Sequence, residues 1–155
     1  MDASDLDHLA RAVALARDAR ERGDHPFGAL LVTADGTVVE ALNSVNTEND
    51  PTGHAETNLV RLAASSVEAA ALASSTLFTS TEPCAMCAGA IYWSGIGRVV
   101  FALSEQGLAE IVGEADEPTL DLPCREVFAR GGRPIEVIGP VDLPDAVAVH
   151  EGFWG

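Results

Sequence analysis

Two cysteines three residues apart, Cys84 and Cys87 in "EPCAMC", follow a proline in a chain with only one other cysteine. Proline at the first position of a helix costs no hydrogen bond, so the segment predicts both sulfurs in the first turn of a helix. At i and i+3 they share one face. The unpaired N–H groups and dipole of a helix N-terminus stabilise thiolates, the form that binds metal. Taken alone the pair fits a metal site, a redox couple or a chance spacing, and a third ligand is needed to decide. His54 opens another predicted helix directly behind a polar loop, with Glu56 two residues on. Positions i and i+2 lie on opposite sides of a helix and can serve one site only over its end. In a layered α/β domain the N-termini of two helices can meet at one edge of the sheet. His54, Cys84 and Cys87 would then supply three zinc ligands of suitable softness. A structural zinc site is closed by four protein ligands, but no fourth Cys or His stands at motif spacing, so one position is left for water. Two thiolates already neutralise Zn²⁺, and the water needs a base beside it; Glu56 is placed to take its proton and return it to a substrate atom.

The remaining composition narrows what such a site would act on. A chain of 155 residues with 47% hydrophobic content predicts one globular domain, residues 1–155. The formal net charge is −15, and all nine basic residues are arginine. Such a surface repels polyanions, and the densest basic group, Arg125, Arg130 and Arg133, is diluted by Asp121 and Glu126 and reads as a solvated face. Nucleic acid is therefore not expected as a partner, and small or uncharged substrates are favoured. Charges recur through the first 25 residues, leaving no run long enough for a signal peptide or membrane span, so a cytoplasmic location is expected. Three cysteines in a reducing compartment do not make a disulfide framework, and Cys124 reads as a small buried hydrophobe. His8 and His150 read as surface and core filler.

The elements that must position these residues follow from pattern. Leu6, Leu9, Ala10, Val13, Ala14 and Ala16 recur at helical spacing behind Ser4, a plausible cap, and Gly23 suits the stop. "GALLV" (28–32) and "TVVEAL" (37–42), separated by "TADG", predict an antiparallel hairpin. "HAETNLVRLAA" predicts the second helix, "STLFTS" (75–80) a buried strand, "PCAMCAGAIYW" the third helix ending near Gly95, and "RVVFAL" (98–103) a further strand. That strand–helix–strand order predicts parallel pairing. Residues 104–131 carry no clear pattern. "PIEVIG" (134–139) predicts a last strand and "PDAVAVHEGFW" (144–154) a short terminal helix.

"HAE" at 54–56 followed by "PCAMC" at 83–87 matches the His-x-Glu…Pro-Cys-x-x-Cys signature of zinc-dependent nucleobase deaminases. The longer stretches "NDPTGHAE" and "EPCAMCAGAIYWSGIGRVVFA" resemble the branch of the cytidine deaminase-like superfamily that contains guanine deaminase and the tRNA adenosine deaminases. The resemblance implies a three-layer α/β/α domain with a five-stranded mixed sheet. It implies one Zn²⁺ per chain on His54, Cys84 and Cys87, with Glu56 as proton shuttle. Metal-bound hydroxide would attack the amino-bearing carbon of a free base, releasing ammonia; guanine is the first expectation, followed by a related amino-purine, cytosine-like base or amino-triazine, and the alternatives are a tRNA adenosine-to-inosine deaminase or a catalytically silent zinc-binding scaffold domain. It further implies Asn43 as a base-binding amide, which offers two donors and an acceptor, and Phe27 as a stacking platform. Glu114 and Asp116 are the candidates for recognising a second amino group. Phe153 and Trp154 resemble aromatic tails that close a neighbouring subunit's site, which would make the enzyme a homodimer with exchanged tails; sealing their own chain's core is the other reading. Beyond residue 103 the resemblance fades.

Overall fold

The computed structural model describes residues Met1–Gly155. Helix α1 (Ala3–Arg22) begins earlier than the apolar pattern predicts. Its cap is Asp2 rather than Ser4, because Asp2 accepts the Asp5 N–H while Asp5 accepts the Asp2 N–H, a reciprocal box that satisfies two orphan donors. Gly23 ends the helix as expected, with φ 101°, a left-handed conformation that glycine adopts without penalty. Strands β1 (Gly28–Val32) and β2 (Val38–Leu42) form the antiparallel hairpin. Gly28 is required by packing: a Cβ there would collide with the backbone of Ala12 and Ala16, so α1 lies directly on β1.

Helix α2 (Ala55–Ser66) and a short α3 (Ala69–Ala73) lead into β3 (Thr76–Thr81), α4 (Ala85–Ser94) and β4 (Arg98–Leu103). β3 pairs antiparallel with β1 and parallel with β4, the pairing that the strand–helix–strand order requires. The stretch without a sequence pattern contains α5 (Glu105–Val112) and α6 (Cys124–Ala129). The last strand β5 (Glu136–Ile138) and helix α7 (Pro144–Ala148) are both shorter than their sequence signals. The five-stranded mixed sheet has the order β2-β1-β3-β4-β5. No helix is long and apolar enough to cross a membrane.

The central strands are apolar on both faces because both faces are covered. Leu30, Phe78, Val100 and Ala102 pack under α1 and Ala146 of α7. Leu31, Leu77, Val99 and Phe101, alternating with them, pack with Leu59 and Ala63 of α2, Ile91 of α4 and Phe128 of α6. These are the three layers. Phe78 and Phe101 are fully buried, each worth about 1.5–3 kcal/mol by transfer out of water. Arg98 on β4 binds Asp5 through both guanidinium NH groups and reaches Glu136 on β5, fastening the start of α1 to the sheet. The Arg98 hydrogen bonds hold the Asp5 carboxyl down at about 2.

Candidate metal centre and active site

Helices α2 and α4 start at the same end of the sheet, and their N-caps are His54 and Cys84. Neither is a residue type that normally caps a helix, and neither side chain makes a capping hydrogen bond. They turn toward each other instead. Proline 83 thus stands just outside α4, with Cys84 at the cap and Cys87 inside, a small shift from the predicted first-turn placement. His54 Nδ1 lies 3.5 Å from Cys84 Sγ and 3.5 Å from Cys87 Sγ, and the three ligand atoms all fall within 4.8 Å of one another. A tetrahedral zinc with Zn–S of about 2.3 Å and Zn–N of about 2.0–2.1 Å would separate nitrogen from sulfur by about 3.5–3.6 Å. The residues fit the ion.

The protonation of the cluster agrees with that role. The Cys87 S–H beside it, with help from His54, holds the Cys84 thiol down at about 4, while the same contact and burial push Cys87 well above its ordinary value. Ligation by a metal ion would take both sulfurs as thiolates, displacing any proton that they hold. The hydrogen bond to Cys84 raises His54.

Glu56, 5% exposed, sits in the first turn of α2. Burial raises its pKa, opposed by the hydrogen bond from Thr79. Thr79 Oγ1 lies 2.6 Å from Glu56 Oε1 and 2.9 Å from the Thr81 carbonyl oxygen. One hydroxyl proton faces two acceptors, so Thr79 donates to an ionised Glu56 or accepts from a protonated one while donating to Thr81. The contact accommodates both states of a proton carrier.

A cavity of about 450 Å³ opens over this cluster. His54, Glu56 and Cys84 form one wall; Phe27, His25 and Trp154 form an aromatic side; Glu105, Leu108, Val112 and Glu117 face them. No arginine lines it. Phe27 therefore stands where a ring could stack. Asn43 does not line the cavity but stands behind His25 and Val45, whose backbone N–H groups both donate to its Oδ1. With the oxygen occupied, the expected acceptor is spent. Asn43 is buried, and its Nδ2 makes no bond within the chain, so the one free group of the amide is a donor.

Glu114 and Asp116 miss the cavity and line an adjoining depression with Phe153; Glu117 is the residue of that acidic run that reaches the cavity. In this chain the tail folds back on its own cavity. Trp154 lines its own chain's cavity, its Nε1 donating to His150 Nδ1 at 3.0 Å, and its ring lies 5.4 Å from His25. Phe153 packs edge-on to His25 at 5.7 Å under Arg20. His150, read as filler, is the buried acceptor that holds Trp154. His25, Glu105 and Glu117 were not singled out by sequence; His25 had a signal, since it shares "HPF" with Phe27. Burial lowers His25 and raises Glu105 to about 7. Cys124 is buried and pushed up to about 12, as an inert thiol should be.

Three ligands of this kind on two helix starts, a buried carboxylic acid beside them and a cavity above define a zinc-dependent deaminase. Residues 2–103 match the cytidine and deoxycytidylate deaminase zinc-binding region, and the chain belongs to that family. A probable cytosine deaminase of Schizosaccharomyces pombe is 40% identical over 151 residues, covering 97% of this chain and 92% of that one. Guanine deaminase of Bacillus subtilis is 41% identical over 118 residues, 71% and 76% of the two chains. The solved guanine deaminase of Nitrosomonas europaea superposes with a TM-score of 0.74 at 26% identity over 92% of this chain and 80% of that one. tRNA-specific adenosine deaminases are also among the relatives.

Proposed function

We propose that this chain hydrolytically deaminates a free aminated nucleobase, with guanine as the first candidate. The observation that carries the reading is the buried Glu56 beside the His54, Cys84 and Cys87 cluster, in the wall of a cavity that no arginine lines. When bound, zinc supplies a Lewis acid that makes water nucleophilic near neutral pH. The rest falls to the chain. Glu56 takes a proton from the water and delivers it toward the departing nitrogen, with Thr79 matching each state. Phe27, His25 and Trp154 hold the flat base and exclude solvent. Across the reaction the ring carbon exchanges its amino group for a carbonyl oxygen, one water enters and ammonia leaves.

Guanine is preferred because Glu117 offers a carboxylate to a second amino group. A cytosine-like base is the second reading, favoured by a probable cytosine deaminase matching nearly the full chain. A tRNA substrate is disfavoured: an anticodon arm is held by its phosphates, and this chain carries a net charge of −15. We infer pairing of two copies through the uncharged helix α4, where Trp93 is 85% exposed. The test is ammonia release by zinc-loaded protein from a panel of guanine, adenine, cytosine and amino-triazines, with tRNA in parallel. Turnover of one free base and no inosine in tRNA is expected; inosine in tRNA with no free base consumed would overturn the proposal.

A further inference from the structure

Thr57 Oγ1 lies 3.2 Å from Cys87 Sγ and makes no other hydrogen bond. A threonine in a helix commonly returns its hydroxyl to the carbonyl four residues back; here that would be Gly53, whose oxygen instead receives Ser44 N–H. The hydroxyl of Thr57 is directed at sulfur. Without metal either atom can donate, but a ligating thiolate has no proton, so with the ion in place Thr57 must be the donor. The two sulfurs also differ in surroundings. Cys84 is partly open to the cavity, whereas Cys87 is fully buried and has no solvent to stabilise its charge.

We propose that Thr57 is a positioning residue of the metal centre, its hydroxyl hydrogen-bonding the Cys87 thiolate and drawing charge from it. The inference rests on the zinc-site reading and adds a role for a residue outside the ligand set. Its chemical consequence is a less electron-rich ion in a site where two thiolates would otherwise cancel the metal's charge. Because Thr57 sits on the helix capped by His54, the bond also ties the ligand of α4 to the helix that carries the imidazole.

The test compares Thr57→Val, which keeps the shape, with Thr57→Ser, which keeps the hydroxyl, and Thr57→Ala as a second deletion of the donor. Zinc affinity is measured by competition with a chromophoric chelator, and the thiolate-to-metal charge-transfer band is recorded on Co²⁺-substituted protein. Partners of this kind are worth about 10–100-fold in metal affinity. Thr57→Val and Thr57→Ala are expected to lose affinity by that factor and to move the band to longer wavelength, with Thr57→Ser near wild type in both. An unshifted band and unchanged affinity in Thr57→Val, or equal shifts in Val and Ser, would overturn the proposal. Failure of the wild-type chain to bind either ion would instead strike the zinc reading itself.

Discussion

The two walls of the cavity are held in different ways. On the metal side each candidate group stands at a helix start and meets a partner on a neighbouring element: His54 faces Cys84 and Cys87, Cys87 bonds Thr57, and Glu56 bonds Thr79 of a central strand. On the facing side, residues 113–121 make only local backbone bonds, and Glu117 to Leu120 are exposed. That segment is fastened at its ends by one side chain. Glu82 accepts the Glu105 N–H at the start of α5 through one oxygen and the Cys124 N–H at the start of α6 through the other. The difference teaches how one scaffold divides its tasks: the candidate metal ligands and their buried carboxyl sit on packed elements, and the facing surface, proposed to meet the variable edge of a substrate, is a loop clamped at its feet.

The sharpest way to test that division is to remove the proposed proton carrier, Glu56, from the rigid wall. Glu56→Ala is expected to keep its zinc by elemental analysis and lose about 10²–10⁴-fold in turnover, the usual worth of general acid–base catalysis; activity within a few-fold of wild type would erase the wall's claim to the chemistry. On the facing wall, Glu117→Gln is expected to lower kcat/KM about 10–100-fold for a base with a second amino group, as loss of a hydrogen bond to a charged group worth about 1.5–3 kcal/mol requires. Bases lacking that group should be unaffected, as should guanine in Glu114→Gln. A uniform loss across all bases would make Glu117 structural.

Trp154→Ala probes the tail, which joins both walls. Half-buried and bonded to His150, the indole should cost about 1–2 kcal/mol of stability in urea denaturation, with zinc content unchanged. A variant with wild-type stability would show that the intrachain packing of the indole contributes nothing to the fold. The smallest effect concerns Glu105. Its carboxyl is raised by burial from an ordinary 4.5 to about 7, so the folded state holds the proton more tightly than the unfolded one. The stabilising contribution is complete below 4.5 and is lost as pH rises through about 7. Glu105→Gln should therefore be more stable than wild type at pH 8 and show no gain at pH 4; a gain of equal size at both would remove burial as the cause.

What the amino-acid sequence determined by itself was whatever depends on neighbours along the chain. His54 with Glu56 and Cys84 with Cys87 are legible because a helix start brings i, i+2 and i+3 to one place, and the strands are legible because apolar runs buried on both faces must be central. The first helix was displaced by one cap only, since Asp2 and Ser4 differ in which partner lies three residues on. Tertiary structure decided the rest. His25 meets Trp154 from the other end of the chain, Glu82 gathers two helix starts, and Glu117 rather than Glu114 or Asp116 enters the cavity. An acidic run has no periodicity to say which carboxylate points inward, and an aromatic tail has none to say which surface it will cover. Those choices are made by where the chain's distant segments come to rest on the sheet, and no local spacing records that.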